Sequence, residues 1–309
     1  MKLRLEWWHY VALALLALQA VFFVVPQLRP GKPGLVCWLF GSDRMLWLGI
    51  TGLLVLSGLA WSLWHRPFWS AGRIAGFALL FVLALSPLVF RVYPSSYDDA
   101  PSQVPFRVPL EGPVTVGWGG ATPDVNYHVV APDQRWAYDL LVTKDGKTYR
   151  GEGTLKEEYF CYGLPVLAPA DGTVRATYET AQEMPVGQLG GTPAGGNQVV
   201  IEVAARQFLF LCHLKPGSIT VEPGDRVAKG EIVGQVGNSG NTSEPHLHVH
   251  LQDTPEDHFG EGIPLYFHNY RADGKLIDRG IPTGGFRGGK ISGAIIEHSG
   301  DHRKEQTEP

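Results

Sequence analysis

The stretch Glu244-Pro245-His246-Leu247-His248-Val249-His250 sets histidine at every second position, with apolar residues between. Side chains on a β-strand repeat with a period of two, so His246, His248 and His250 would share one face. Imidazole is the commonest metal ligand, and its unperturbed pKa lies nearest neutrality. A row of imidazoles on one strand face is therefore a candidate metal site with a general base beside it. The plainer reading is a histidine-rich exposed strand. The flanking sequence weighs against it.

From about Phe106 onward, glycine and proline punctuate short alternating runs. Leu164 to Pro169 leads into the turn signal Ala170-Asp171-Gly172 and then Thr173 to Thr177. Gln198 to Val203 and Phe208 to Leu214 read as core strands, and Asp225 to Val236 as two short strands around Lys229-Gly230. Short, closely spaced strands of this kind predict an antiparallel all-β domain. A further hairpin is expected where Asn126 to Val130 and Trp136 to Leu140 flank the turn pair Pro132-Asp133. With a four-residue loop, Ala131 faces Trp136 and His128 falls opposite Asp139. Opposed Cβ atoms stand about 5 Å apart, within reach of one shared ion. A one-residue slip would send the two side chains to opposite faces.

Three ordered motifs resemble a known family. Gly163-Leu164-Pro165-Val166 with Ala168 to Val174 is the first, and His213-Leu214 with Gly217 to Ile219 and Gly224 to Val227 is the second. Gly234, then Gly237 to Thr242 running into Pro245 to His248, is the third. Together they resemble the LytM/lysostaphin-like zinc metallopeptidases, which cut peptide bonds in bacterial peptidoglycan. The resemblance covers roughly residues 115–253 and leaves the amino-terminal part aside.

The resemblance implies zinc as cofactor, His248 as a zinc ligand and Asp139 as the carboxylate ligand. It makes His246 and His213 the two catalytic imidazoles. One position departs from the family pattern. The usual histidine four residues before the aspartate is Arg135, within Gln134-Arg135-Trp136-Ala137-Tyr138-Asp139, which looks like a variant form. Either another imidazole replaces it or the metal has been lost. His128 is the candidate, as the only histidine of the domain on the amino-terminal side of Asp139. His250 also departs, since glutamate or glutamine is more usual there. It is either a donor that orients its neighbours or a solvated strand residue, the second being the simpler reading. His258, His268, His298 and His302 fall outside the motifs and read as surface histidines.

Three apolar stretches precede residue 92: Trp7 to Val25, Met45 to Trp64 and Ile74 to Phe90. Each approaches the roughly 20 residues that cross a bilayer core as a helix. Trp7, Trp8, Trp47, Trp61, Trp64 and Trp69 lie near their ends, as interfacial anchors do. The first stretch lacks a convincing small-residue cleavage site, so a retained anchor is expected rather than a signal peptide. Lys2 and Arg4 favour a cytoplasmic amino terminus, although Arg29, Lys32, Arg44 and Arg91 nearly balance the basic-residue bias. Three spans from that start leave the remainder extracytoplasmic at a bacterial cytoplasmic membrane. No ionisable residue sits at the centre of a span, which argues for an anchor rather than a transporter.

The predicted architecture is N-terminal transmembrane α-helices followed by an all-β, antiparallel or open barrel-like metallopeptidase domain. Residues 1–92 form the membrane region, 93–105 a linker, 106–287 the β domain and 288–309 a flexible tail. The net charge of −4 over 309 residues, with no long basic run, excludes nucleic acid as an expected partner. Charged residues are 18%, and the deficit sits in the first hundred positions. Cys37, Cys161 and Cys212 lack zinc-finger spacing, and Cys161 and Cys212 could pair outside the cytoplasm. The expected partners are the lipid bilayer and peptidoglycan or another peptide substrate. The expected function is a membrane-anchored zinc endopeptidase. Its rival is a catalytically degenerate module of the same fold that binds peptidoglycan or regulates another hydrolase, and Arg135 is what favours it. A biotinyl- or lipoyl-like carrier fails for want of a lysine in a suitable exposed hairpin. Gly195-Gly196 and the glycines before His246 are expected to let an extended peptide approach closely.

Overall fold

A computed structural model describes residues 5–257, 259–287 and 290–300. Lys2, Arg4, His258, His302 and the tail residues 288–289 and 301–309 lie outside the described residues. The chain divides into two compact units between Pro94 and Ser95.

The first unit is helical: α1 (Trp7–Leu28), α2 (Lys32–Ser42), α3 (Arg44–Trp64) and α4 (Ala71–Leu85), the last extended by a 3₁₀ turn (Ser86–Val89). Trp7–Leu28, Arg44–Trp64 and Ala71–Val89 are long and apolar enough to cross a membrane, whereas the 11 residues of α2 are too few. Several polar groups on these helices find partners within the unit, as a hydrocarbon surrounding favours. His9 Nε2 lies 2.8 Å from the Gly72 carbonyl, and Gln19 Nε2 donates to the Gly41 carbonyl at 2.7 Å. Arg73 pairs with Glu6 at 2.8 Å. The tryptophans do not form one class. Trp8 and Trp47 are buried between helices, while Trp7, Trp64 and Trp69 are exposed as interfacial residues would be.

The second unit is built on strands β1 (Val114–Trp118), β2 (Tyr138–Leu141), β3 (Pro165–Leu167), β4 (Gly172–Tyr178), β5 (Asn197–Ala204), β6 (Gln207–Leu214), β7 (Arg226–Val227), β8 (Ile232–Gln235), β9 (Leu247–Gln252), β10 (Phe267–Ala272), β11 (Lys275–Gly280), β12 (Phe286–Arg287), β13 (Lys290–Ile291) and β14 (Ile295–His298). Ten of them form one open antiparallel sheet in the order β11-β10-β14-β1-β2-β9-β6-β5-β4-β7. The sheet is not closed into a barrel. β9 lies in its middle, between β2 and β6.

Both faces of β9 are buried, and they differ in kind. Leu247, Val249 and Leu251 point into the main core. His248, His250 and Gln252 occupy the other face, also buried. Each buried Val or Leu contributes about 1.5–3 kcal/mol. A slip by one residue would forfeit all three and push imidazoles into the core, so the apolar face fixes where the histidines point.

Three expectations change. Asn126 to Val130 is not a hairpin strand. Tyr127–Val130 is a 3₁₀ turn, started by the Asn126 side chain accepting the His128 N–H at 3.1 Å. Asp139 pairs instead with Trp118 and His248. The stretch expected as a linker also belongs largely to the β unit: Ser95 Oγ donates to the Gly262 carbonyl at 2.9 Å and Ser96 Oγ to Glu261 at 2.7 Å. Finally, part of the expected flexible tail is ordered. Ile295–His298 supplies a strand of the main sheet, paired with β1 and β10. Alternating short apolar runs in that glycine-rich segment are too brief to stand out in the sequence.

Candidate metal centre and its flanking histidines

Register alone brings two of the site residues together. Asp139 on β2 and His248 on β9 are direct cross-strand partners, and His248 Nδ1 lies 2.9 Å from Asp139 Oδ1. His128 approaches the same oxygen from the 3₁₀ turn, its Nε2 at 3.6 Å. His246, just before β9, places Nε2 3.5 Å from it. His213 stands beside both, its ring centroid 4.7 Å from that of His246 and 5.8 Å from that of His248.

His213 reaches the site through a local distortion. In β6, Leu209 and Leu211 face the main core and Phe208, Phe210 and Cys212 face the other side. Strict alternation would send His213 into the core. Its backbone instead adopts φ +63°, and β6 carries an extra residue relative to β5 between Leu211 and Leu214. This bulge turns His213 to the same side as Cys212, and both line one cavity. A non-glycine residue in this region costs about 1–3 kcal/mol, a strain typical of functional positions. Gly195-Gly196 supports the bulge: His213 N donates to the Gly195 carbonyl at 2.9 Å, and Gly195 also lines the cavity beside the cluster. A Cβ on Gly196 would come within 2.3 Å of the Ser239 carbonyl oxygen.

Each imidazole is oriented by a fixed partner. His128 Nδ1 is 2.9 Å from Asn126 Oδ1, an acceptor, so that nitrogen carries the proton and Nε2 presents a lone pair to Asp139. His213 Nδ1 faces the Ser239 carbonyl at 2.8 Å and His246 Nδ1 the Glu244 carbonyl at 2.8 Å. In both, Nε2 is left for chemistry.

Burial pushes the His128 imidazole down to about 3 and holds His213 well below the usual histidine range. Burial also opposes protonation of His246, but the adjacent Asp139 carboxylate outweighs it and raises that pKa. Burial would raise the Asp139 carboxyl. The surrounding imidazoles, His128 foremost and then His246, hold it well below the carboxylate range instead. Asp139 is thus held as an ionised carboxylate and His128 as a neutral ring, the states in which these groups ligate metals.

His128, Asp139 and His248 each offer one ligand atom, and these lie within 4.8 Å of one another. Two ligands held 2.0–2.1 Å from a tetrahedral cation stand about 3.3 Å apart. The contacts of 2.9 and 3.6 Å to Asp139 bracket that separation. Two nitrogens and one carboxylate oxygen, with a fourth direction open, suit a catalytic divalent cation. Cavities of ≈ 150 and ≈ 330 Å³ adjoin the cluster on two sides, with Tyr127 and Asn241 lining both.

Arg135 has no place in this cluster. It is buried with its guanidinium 4.2 Å over the Trp136 ring, Nη1 donating to the Ala121 carbonyl at 3.2 Å and Nε 3.7 Å from Asp98. His250 is not a solvated strand residue. It is 1% exposed, with Nδ1 3.0 Å from His248 Nε2. His268 and His298 lie on β10 and β14 and do not join the cluster. Cys161 and Cys212 are both free thiols, bonded to the Pro245 carbonyl and to Gln198 respectively. Sequence reasoning missed Tyr127, whose hydroxyl is 3.3 Å from Asp139 Oδ2, and Asn126. Their adjacency to His128 was the available signal.

Residues 159–258 match Peptidase family M23. The β unit thus contains a segment similar to the M23-family, LytM/lysostaphin-like peptidases, preceded in the chain by apolar helices of membrane-spanning length. His213, His246 and His248 fall inside the matched segment, and His128 and Asp139 precede it. A relative from Vibrio cholerae, the peptidoglycan DD-endopeptidase ShyA, is 30% identical over 105 residues, 33% of this chain. The match spans only 21% of that relative's length. Among solved structures, the catalytic domain of a variant of the prophage-encoded M23 protein EnpA from Enterococcus faecalis is 21% identical. It covers 52% of this chain and 94% of its own, with a TM-score of 0.33. The catalytic domain of lysostaphin from Staphylococcus simulans is 19% identical, covering 48% and 86%, with a TM-score of 0.29.

Proposed function

We propose that this chain is a membrane-anchored zinc endopeptidase that hydrolyses peptide bonds of peptidoglycan on the outer side of a bacterial cytoplasmic membrane. The observation that carries the reading is the convergence of His128, Asp139 and His248 on one point, with two further oriented imidazoles at its edge. His128 Nε2, Asp139 Oδ1 and His248 Nδ1 would hold the ion. Gln134 to Asp139 is then a variant first motif, in which His128 supplies the imidazole that Arg135 cannot. Bound zinc lowers the pKa of a coordinated water to about 7 and polarises a carbonyl.

The flanking imidazoles divide the proton work. Groups whose surroundings push their pKa values apart are natural base and acid partners. His213 is kept neutral with Nδ1–H committed to Ser239, so its Nε2 lone pair accepts the proton of the attacking water. His246, whose pKa Asp139 raises against the effect of burial, more readily carries a proton on Nε2. It donates to the developing oxyanion and then to the leaving amine. The helices anchor the domain in the lipid bilayer near its polymeric substrate.

The non-catalytic alternative draws its support from Arg135, and the proximity of His128 to Asp139 speaks against it. The test is zinc content per purified full chain, alongside release of new amino termini from peptidoglycan. Wild type should carry one zinc and cleave, and His128→Ala should lose both. Stoichiometric zinc in His128→Ala would sink that ligand assignment. A zinc-free, inactive wild type would restore the regulatory module.

A further inference from the structure

The two cavities beside the metal position differ in what lines them. His213 lines the smaller and His246 the larger. In the proposed chemistry His246 gives a proton to the leaving amine, so the larger cavity takes the residue on the amine side of the scissile bond. Three aromatic rings line it. Trp118 meets Tyr127 edge to face with centroids 5.1 Å apart, and lies 5.0 Å from Phe286.

Trp118 reaches this cavity because β1 breaks its alternation. Val114 and Val116 point into the main core, and strict period two would send Trp118 after them. The pairing with β2 instead shifts between Val116 and Trp118, which sets Trp118 against Asp139. This bulge turns the indole to the metal side of the sheet, as the bulge in β6 turns His213. The sheet thereby gives up core burial of a large ring. Trp118 is only partly buried, and Tyr127 and Phe286 are exposed. Clustered apolar surface of this kind marks a place that a ligand covers.

The charge of the cavity says which ligand. Two carboxylates line it, Asp139 and Glu244, and no lysine or arginine does so among the described residues. Asp139 is committed to the ion. Glu244 Oε2 accepts from Thr148 Oγ1 at 2.9 Å, and no lysine or arginine pairs with this carboxylate among the described residues. Aromatic faces beside a carboxylate suit an ammonium group, by cation–π attraction and by charge. An aliphatic stem lies along the rings while its charged end stays in polar company. We propose that this cavity is a specificity subsite, resting on the zinc endopeptidase reading above. It takes a diamino acid residue on the amine side of the scissile bond, with the free ammonium held by Glu244 and the aromatic rings. An amine acylated in a cross-link carries no charge, so the subsite favours un-cross-linked stem peptides.

The test uses the zinc-loaded full chain in detergent and peptides that differ only in the residue after the scissile bond: lysine, acetyllysine, norleucine or glutamate. Wild type should cleave the lysine peptide with kcat/KM about tenfold above the acetyllysine and norleucine peptides. The glutamate peptide should be the poorest. The ratio of two peptides within one variant cancels any change of turnover common to both. That lysine-to-norleucine ratio should fall to about threefold or less in Glu244→Gln and in Trp118→Leu. Glu244→Lys should favour glutamate over lysine, an inversion that a merely structural side chain would not produce. Equal kcat/KM for lysine and norleucine in wild type would overturn the proposal. So would a preference that survives both Glu244→Gln and Trp118→Leu, or one that follows the residue before the scissile bond. If wild type cleaves none of these peptides, fluorescence anisotropy of the labelled lysine and norleucine peptides decides the subsite. Tighter lysine binding that is lost in Glu244→Gln supports it, and equal binding refutes it. Failure to cleave peptidoglycan refutes the endopeptidase reading separately.

Discussion

His248 and His128 reach the same carboxylate from different kinds of backbone. His248 sits in the middle of a ten-stranded sheet, bracketed by β2 and β6, with its direction set by Leu247, Val249 and Leu251 on the reverse face. His128 sits on one 3₁₀ turn, and its ring is held by Asn126. The strand arm is fixed by non-local apolar packing. The turn arm is fixed by one amide that caps the turn and orients the imidazole at once. A side chain held by register is hard to displace without unfolding the sheet, whereas one held by a local hydrogen bond can be loosened singly.

The largest effects should come from the shared carboxylate and its two imidazoles. Asp139→Ala, His248→Ala and His128→Ala should each lose bound zinc and reduce peptidoglycan cleavage to background. Removing His213 or His246 should leave zinc in place and lower turnover by about 10²–10⁴-fold, the range for general acid–base groups. Zinc content measured beside turnover separates the two classes. Loss of zinc from His213→Ala would merge them.

The comparison sharpens at Asn126. Asn126→Ala removes the acceptor at His128 Nδ1 while leaving the sheet intact. Zinc affinity should fall about 10–100-fold, as for other partners that orient ligands. Asn126 Nδ2 also donates to the Gly120 and Ala137 carbonyls, so thermal stability should fall too, by about 1–3 kcal/mol, comparable to Val249→Ala, which opens a cavity in the core but should leave zinc affinity near wild type. Equal losses of zinc affinity in the two variants would mean that the two arms are not fixed separately.

The same contrast explains what could be read in advance. The period-two row from His246 to His250 exposed the strand arm, because alternation is a property of sequence. The apolar spans were equally plain, because membrane crossing needs an unbroken length. The turn arm was harder. Asn126 to Val130 has the composition of a strand, and the hairpin count put His128 near Asp139 through a geometry the chain does not adopt. The local Asn126 hydrogen bond outcompetes strand pairing there. The bulge at His213 has no sequence signature, since no glycine marks its positive φ. His250 was misjudged because exposure depends on what packs above a strand, here Phe210 and the Gln252 row. The ordered strand at Ile295–His298 exists through its pairing with distant β1.

Acidification should strain both arms together in zinc-free protein. His128 and His250 have folded pKa values of about 3, below the ordinary 6.5, because burial disfavours their charged forms. His213 shifts the same way. Between these values the unfolded chain binds more protons, so stability falls as pH drops from about 6.5 toward 3. At pH 5 His128 and His250 each cost about 2 kcal/mol. His246 has the opposite sign: its contribution is complete below about 6.5 and is lost as pH rises through its raised pKa. The net expectation is a lower thermal midpoint at pH 5 than at pH 7. His128→Ala and His250→Phe should each flatten the dependence, and a midpoint that rises toward pH 5 would contradict it.

The smallest expected effect bears on Arg135, the position where the family pattern places an imidazole. Its guanidinium lies over Trp136 and against Asp98 and the Ala121 carbonyl, so it braces the turn arm from outside the cluster. Arg135→Met keeps an apolar stem on the indole and removes the charge. Asp98 retains 36% side-chain exposure, so water can solvate the abandoned carboxylate. The loss should therefore stay near that of one hydrogen bond, about 1 kcal/mol. Zinc affinity and turnover should stay within about twofold of wild type, because no ligand changes its partner. A tenfold drop in zinc affinity would show that the turn arm depends on its brace as well as on Asn126, and that the two arms differ less than their backbones suggest.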